Sequence, residues 1–206
     1  MIEWSIDVFR ACESVCSIVV AAPPGHLGEL SGHPDLGVVP GGATRAQSVA
    51  NGLEAVGTEL VAIHDAARPL LTPELVEALL AALEATPEAA GVIAAAPLTD
   101  TVKQAAPPAN PASSTQEGPN AGLAIEATVD RSRLWAAQTP QLFRTEVLRA
   151  ALAVPPERRD AATDEAMLVE AAGGTVLLHP AGPENLKVTT PLDLRVAELV
   201  LEGRSR

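Results

Sequence analysis

Short apolar runs alternate with amphipathic stretches along most of the 206-residue chain. The pattern predicts strands at CSIVVAAP, DLGVVPGG, LVAIHDA, GVIAAAPL and TVLLHPAG, and a shorter strand at NLKVTT. Helices are predicted between them, for example at TPELVEALLAALEAT, where Thr72 suits the N-cap and Pro73 the first helical position. Strands that alternate with helices are typical of a mostly parallel sheet with helices on both faces. We therefore predict a Rossmann-like, doubly wound α/β fold.

Residues 104–122 interrupt this alternation. The segment QAAPPANPASSTQEGPNAG is rich in proline, serine, asparagine and glycine, which disfavour a helix or a central strand. The segment LAIEATVDRSRLW, which follows it, has the alternation typical of a strand. We therefore expect a single domain over residues 1–206, with a protruding β-arm at about residues 104–135.

The composition limits the possible partners of the chain. Its formal net charge is −12, which argues against a nucleic-acid surface because a phosphate backbone favours clustered positive charge. The longest apolar runs are well short of the roughly 18 residues that span a bilayer, and no signal segment opens the sequence. We therefore expect a cytoplasmic protein that binds neither nucleic acid nor a membrane, and that holds any phosphate ligand with a few placed cations.

The segment VAIHDAARPLL ends a buried strand with a carboxylate and a guanidinium, those of Asp65 and Arg68. Ligands of open parallel sheets bind at the carboxyl ends of the strands. An aspartate suits Mg²⁺, which takes oxygen ligands, and an arginine suits phosphate oxygens. The alternative is a surface pair that holds the turn between the strand and the next helix. His64 is expected to orient its neighbours or to pack in the core.

Polar residues recur at other strand ends. Gly41 and Gly42 would let the backbone approach a flat ligand, and Arg45 and Ser48 lie in the first turns of a helix whose positive end favours an anion. The other candidates are Thr101 and Lys103 in PLTDTVKQ, Arg131, Thr139 and Gln141 in DRSRLWAAQTPQLF, and Lys187 in NLKVTT. Each cluster alone could cap a turn or carry a solvated charge. Their recurrence at strand ends favours a phosphate-binding site.

The strings GGATRAQSVANGL, HDAARP, DTVK, DRSRLWAAQTPQLF, TDEA and ENLKVTTPLDL resemble, in order and near spacing, those of the cytidylyltransferases that act on 2-C-methyl-D-erythritol 4-phosphate. The resemblance covers essentially the whole chain. It implies transfer of CMP from CTP to this polyol phosphate with release of pyrophosphate, a step of non-mevalonate isoprenoid biosynthesis, with Mg²⁺ as the cofactor. It also implies a homodimer in which the arm of each subunit reaches the neighbouring site.

The resemblance further implies roles for individual residues. Arg131 and Lys187 match the residues that hold the polyol phosphate for attack on the α-phosphorus, and they are the predicted catalytic residues. The predicted substrate-binding residues are Thr101, Arg68 and Thr139. The predicted nucleotide-binding residues are Gly41, Gly42, Arg45, Ser48, Asp65 and Ala66, with Asp65 also as the metal ligand. Ala43 stands where the family often has an acidic residue, so a side-chain contact at that position would be lost.

The first part of the family pattern is absent from the sequence as given. Family members open with a strand, a glycine-rich loop with an arginine, and a lysine, whereas this sequence opens with MIEWSIDVFRACESV, which resembles the helix that follows the loop. We therefore expect an amino-terminally truncated chain of low activity, in which CSIVVAAP and LVAIHDA do not pair with each other. Two alternatives stay open: a cytidylyltransferase of ribitol phosphate or another polyol phosphate, and a non-catalytic homologue that serves as a binding or dimerisation module.

Overall fold

The computed structural model describes residues 1–30, 32–107 and 123–204. Its helices are α1 (Ile2–Ala11), α2 (Arg45–Glu54), α3 (Pro73–Glu84), α4 (Thr145–Leu152), α5 (Pro156–Asp160), α6 (Glu165–Ala171) and α7 (Pro191–Arg204), with a 3₁₀ helix at Pro24–Leu30. Its strands are β1 (Ile18–Ala22), β2 (Leu36–Pro40), β3 (Leu60–Ile63), β4 (Gly91–Pro97), β5 (Lys103–Ala105), β6 (Ile125–Thr128), β7 (Trp135–Arg144) and β8 (Val176–Pro180). None of the described helices is both long and apolar enough to cross a membrane.

The described strands form three sheets. β1 and β2 pair in parallel, and β5 pairs antiparallel with β6. The largest sheet has the order β3-β7-β4-β8, in which β4 and β8 are parallel and β7 runs antiparallel to β3. The predicted α/β architecture is therefore confirmed, with a mixed sheet at its centre.

The sequence pattern missed the longest strand and predicted one that does not form. β7 lies in the middle of the large sheet, but Gln138, Thr139, Pro140 and Gln141 interrupt its apolar pattern and hide it from a search for alternation. The prediction of a strand at NLKVTT is wrong, because this segment is irregular in the structure. One backbone hydrogen bond, from Val188 N–H to the carbonyl of Ala67 (2.7 Å), ties it to the loop after β3.

Two apolar clusters hold helices against the large sheet. Phe143 packs with residues of α4 and α6, whereas its neighbour Leu142 packs with residues of α3. Successive residues of a strand point to opposite faces of the sheet, so the helices cover both faces as predicted. Gly91 is needed for this packing, because a Cβ atom there would lie 2.3 Å from the Phe143 ring.

The edges of β1 and β3 face a common cavity. The strand pairing places β1 and β3 in different sheets. This confirms the prediction that they do not pair with each other. Residues of both strands, among them Val20 and Ala62, line a cavity of about 690 Å³ together with Ile6 and Phe9 of α1. Backbone N–H and C=O groups on these edges therefore have no partner strand on the cavity side within the described residues.

The chain divides into two compact units. The first contains Met1–Ala95 and Ala137–Arg206, and the second contains Ala96–Ala136. Within the second unit, the β5–β6 hairpin is held by contacts such as the hydrogen bond from Lys103 Nζ to Thr128 Oγ1 (2.6 Å). Much of the predicted arm, residues 108–122, lies outside the described residues. The assignment of one domain with an arm at 104–135 stays a prediction.

Candidate active site

Four charged side chains form a connected cluster in the first unit. Arg45 Nε donates to Asp65 Oδ1 (3.0 Å), and Lys187 Nζ lies 2.9 Å from Asp65 Oδ2. Arg45 Nη1 also contacts both carboxylate oxygens of Glu165, at 2.7 and 2.8 Å. Each of the two carboxylates is therefore balanced by a cation, and the formal charges of the cluster sum to zero.

Local structure explains why these residues meet. Asp65 follows the carboxyl end of β3, and Arg45 and Glu165 are the first residues of α2 and α6. Both helices begin with a side-chain cap, in which Thr44 accepts from Gln47 N–H and Asp164 accepts from Met167 N–H. Such caps define where a helix starts, so they fix the positions from which Arg45 and Glu165 project.

Burial and ion pairs act in opposite directions on the two carboxyl groups. Burial by itself would raise the pKa of Asp65, but the contacts with Lys187 and Arg45 outweigh it and hold that pKa below its usual range. At Glu165, which is 1% exposed, burial wins and raises the pKa, although Arg45 opposes the shift. The ionised form of Glu165 therefore depends on Arg45.

His64 holds the turn in which Asp65 and Arg68 lie. Thr139 Oγ1 accepts a hydrogen bond from Asp65 N–H (3.0 Å) and donates its own proton to His64 Nδ1 (3.0 Å). The other ring nitrogen, Nε2, donates to the carbonyl of Arg68 (3.2 Å). Burial lowers the pKa of His64 to about 4, so the ring is neutral at pH 7. His64 is thus an orienting side chain, as the sequence predicted.

Arg68 differs from Arg45 in its partners. Its Nη1 donates to the carbonyl of Asn185 (2.7 Å), and Asn185 is in turn held by Gln138 Oε1 and the carbonyl of Thr139. Its buried Nε has no hydrogen-bond partner, and within residues 1–30, 32–107 and 123–204 no carboxylate forms an ion pair with it. Burial lowers the pKa of Arg68, but a guanidinium stays charged at neutral pH. Such a cation suits an anionic ligand.

The glycine pair has a packing role in this structure. A Cβ atom on Gly42 would lie 2.3 Å from Gln47 Cγ. Gln47 uses its side-chain oxygen to accept from Ala43 N–H (2.9 Å), and Ser48 Oγ accepts from Gly42 N–H (3.0 Å). The packing of Gln47 is by itself enough to require a glycine at position 42. The predicted approach of a flat ligand to this loop therefore stays a prediction.

The structure brings together most of the predicted site residues. Those in the first unit are Gly41, Gly42, Arg45, Ser48, Asp65, Ala66, Arg68, Thr139 and Lys187. Thr101 and Arg131 belong to the second unit, where both are exposed, and their roles stay predictions. The sequence reasoning gave no role to Glu165 or Asn185. No pattern in the sequence marked Glu165, which follows the cap Asp164 in a helix that also carries the exposed Glu170.

The family assignment follows from comparison of the whole chain. A model of the family IspD, 2-C-methyl-D-erythritol 4-phosphate cytidylyltransferase, matches residues 1–203. The chain belongs to this family. The α/β fold predicted from the sequence is accordingly that of IspD proteins, and the cluster around Asp65 lies in a scaffold of nucleotidyltransferases.

Individual IspD proteins are similar to most of the chain. A bifunctional enzyme IspD/IspF of Anaeromyxobacter is 42% identical over 200 residues, which cover 94% of this chain and 48% of that protein. The chain therefore spans about half the length of that relative. The 2-C-methyl-D-erythritol 4-phosphate cytidylyltransferase of Streptomyces coelicolor is 41% identical over 217 residues, 99% of this chain and 75% of that protein. The crystal structure of the Thermus thermophilus cytidylyltransferase is similar with a TM-score of 0.76 at 32% identity, covering 97% of this chain and 88% of that one.

The donor set around Asp65 bears on the Mg²⁺ expected of an IspD protein. No group of three or more metal-binding side chains occurs in the part of the chain that the structure describes. Both oxygens of Asp65 are in ion pairs, with Arg45 and Lys187. Mg²⁺ at nucleotide sites is usually held by one or two carboxylates, waters and substrate phosphates. A carboxylate that is already paired with two cations could supply at most one ligand to such an ion, so most of its ligands would have to come from the nucleotide.

Proposed function

We propose that this protein is a cytidylyltransferase that joins CMP from CTP to 2-C-methyl-D-erythritol 4-phosphate and releases pyrophosphate, in non-mevalonate isoprenoid biosynthesis. The observation that carries the proposal is the charged cluster of Arg45, Asp65 and Lys187, which lies beside Arg68 in a chain of the IspD family. A nucleotide and a sugar-alcohol phosphate are both anions. A site for them needs cations in fixed positions, which these contacts provide.

The reaction needs positioning and charge neutralisation more than proton transfer. A phosphate monoester has a second pKa near 6 and is largely dianionic at pH 7. One of its oxygens attacks the α-phosphorus of CTP, a new P–O bond forms, and the bond to the β-phosphate oxygen breaks, so that pyrophosphate leaves with the electron pair. No general base is required, and catalysis then depends on holding the two anions in line.

The proposed roles divide the site between the two substrates. Lys187, whose side chain is 42% exposed, would hold the polyol phosphate together with Arg131 from the arm. Thr101 would support it, and Arg68 would hold phosphate oxygens because no carboxylate neutralises it. Thr139, whose hydroxyl is engaged by Asp65 N–H and His64, would act by holding the turn.

The nucleotide would lie beside the loop of the glycine pair. Its proposed contacts are with Gly41, Gly42, Arg45, Ser48, Asp65 and Ala66. Mg²⁺ would be held by the triphosphate and by Asp65, and it would neutralise the charge that develops on the leaving pyrophosphate. We further propose a cytoplasmic homodimer in which each arm brings Arg131 to the neighbouring subunit's site.

Product identification tests this proposal. Purified protein at high concentration is incubated for long times with CTP, Mg²⁺ and either methylerythritol phosphate or ribitol phosphate, and the products are identified by mass spectrometry. We expect the CDP-linked methylerythritol and pyrophosphate, and little product from ribitol phosphate. Preference for ribitol phosphate would favour the other polyol-phosphate cytidylyltransferases. Absence of any product, with no binding of CTP, would favour a non-catalytic binding module.

A further inference from the structure

Glu165 has the geometry of a side chain that fixes another one. It is 1% exposed, it is the first residue of α6, and both of its carboxylate oxygens contact a single nitrogen, Arg45 Nη1. Its neighbour Asp164 caps the helix and also accepts from the side chain of Gln141. The backbone around Glu165 is therefore anchored independently of Arg45, and within the described part of the chain the carboxylate of Glu165 forms an ion pair only with the arginine.

Arg45 is held on two sides by carboxylates. Nη1 is bound to Glu165 and Nε to Asp65, so the direction of the guanidinium plane is set by two contacts. No hydrogen bond engages Nη2 within the described residues. The side chain is 36% exposed, which leaves this third nitrogen as the donor available to a ligand.

The charge of Arg45 is also largely cancelled. Asp65 is shared with Lys187, but Glu165 contacts no second cation within the described residues, so its full charge opposes that of Arg45. Arg68, in contrast, has no carboxylate partner there. Because Coulomb attraction follows net charge, the triphosphate would be attracted to Arg68 far more than to Arg45. Arg45 would then contribute a directed hydrogen bond.

We propose that Glu165 is a positioning residue of the nucleotide site, which fixes the guanidinium of Arg45 and cancels its charge so that Arg45 donates to the nucleoside part of CTP. This inference rests on the proposed function, since it takes CTP as the ligand. It adds a specificity role to a residue that does not touch the substrate.

The test compares two ligands on three variants. The affinities of CTP and of inorganic pyrophosphate are measured by calorimetry at low salt for the wild type, Glu165→Gln and Glu170→Gln. Glu170 is an exposed glutamate on the same helix and serves as the matched control. We expect Glu165→Gln to weaken CTP binding by about tenfold or more. The guanidinium of Arg45 is then no longer held in place, and its charged hydrogen bond to CTP, which is worth about that much, is lost. Pyrophosphate should bind equally well or more tightly, because the charge of Arg45 is then opposed only by Asp65, which is shared with Lys187.

A double-mutant cycle separates positioning from a general effect on stability. In an Arg45→Gln background, Glu165→Gln should cause no further loss of CTP affinity, because the group that it positions is gone. Glu165→Asp, which keeps the charge, replaces Glu165→Gln if the latter does not fold. Its affinity for pyrophosphate should equal that of the wild type, while its affinity for CTP falls.

Each result decides between the proposals. Equal changes in the two ligands, no change in either, or additive losses in the cycle would overturn the role of Glu165 and leave the proposed function standing. Failure of the wild type to bind CTP at all would overturn the proposed function, and the role of Glu165 with it.

Discussion

Lys187 and Asp65 form a 2.9 Å ion pair between an irregular segment after β8 and the end of β3. The other oxygen of the same carboxylate binds Arg45. One aspartate therefore links the cation proposed for the polyol phosphate to the one proposed for the nucleotide. Its pKa stays below the usual range because of these two partners, although burial opposes them. Changes at Asp65 should consequently affect both substrates.

Asp65→Asn should destabilise the protein and impair both substrate sites. The substitution leaves Lys187 and Arg45 without their shared counter-charge, while Glu165 still holds Arg45. Because the ion pairs of Asp65 with Arg45 and Lys187 are only partly buried, we expect a loss in the free energy of unfolding on the order of 2 kcal/mol. The measurement is urea denaturation. Asp100→Asn, at an exposed site, is the control. A stability and CTP affinity equal to those of the wild type would show that Asp65 does not link the two proposed substrate sites.

Lys187→Ala should act on the polyol phosphate more than on CTP. The ammonium is a compact donor for phosphate oxygens, and its removal should lower product formation from methylerythritol phosphate by about 10² or more under single-turnover conditions. CTP affinity should change by less than about threefold, since Arg45 and Glu165 keep their contacts. Lys103→Ala removes the other lysine of the chain and should have a smaller effect. An effect confined to CTP binding would reverse the proposed division of the site.

Mixed dimers test whether the site is shared between subunits. If Arg131 of one subunit completes the site of its neighbour, a dimer of one Arg131→Ala subunit and one Lys187→Ala subunit contains one intact site and one doubly disabled site. Differently tagged subunits are co-expressed and purified by both tags. Product formation should recover to about half that of the wild-type dimer. Homodimers of Arg133→Ala, at an exposed neighbour of Arg131, should form product at the wild-type rate without any mixing. Lack of recovery would place Arg131 in its own subunit's site, whereas wild-type activity of the Arg131→Ala homodimer would place it outside any site.

The strand edges at the cavity predict a pattern of hydrogen exchange. β1 and β3 each pair on one side only within the described residues, whereas β4 lies between β7 and β8. Amides that face the cavity of about 690 Å³ lack a strand partner, so they should exchange on the order of 10² times faster than those of β4. The measurement is hydrogen exchange followed by mass spectrometry or NMR. Equal protection of β1, β3 and β4 would mean that the cavity is closed in solution.

The sequence predicted the periodic parts of the molecule and failed where function or irregular backbone breaks periodicity. The cap Thr72 and the buried runs identified most helices and strands, because local propensity and burial agree there. β7 was missed because its polar residues serve Asp65, His64 and Asp164. Glu165 was missed because a buried carboxylate can be recognised only through its partner, Arg45, and that contact joins residues distant in the chain.

His64 gives the stability of the protein a specific dependence on pH. Its pKa is lowered by burial from the ordinary 6.5 to about 4 in the folded state. As the pH falls below 6.5, the unfolded chain binds a proton at His64 that the folded chain excludes, so the free energy of unfolding falls. The loss should be complete near pH 4 and amount to at most about 3 kcal/mol. Well above pH 6.5 His64 is neutral in both the folded and the unfolded chain, so it does not contribute to the pH dependence of the free energy of unfolding.

The comparison of slopes isolates His64 from the other titrating groups. Glu165, whose pKa is raised by burial, acts in the opposite sense as the pH falls, and it is present in every variant. Urea denaturation between pH 7 and pH 4.5 should therefore show a shallower loss of stability for His64→Asn than for the wild type. His26→Asn, at an exposed site, should keep the wild-type slope. If His64→Asn and the wild type lose stability in parallel, His64 takes up its proton without leaving Thr139 and Arg68, and it does not hold the turn of Asp65 in its neutral form.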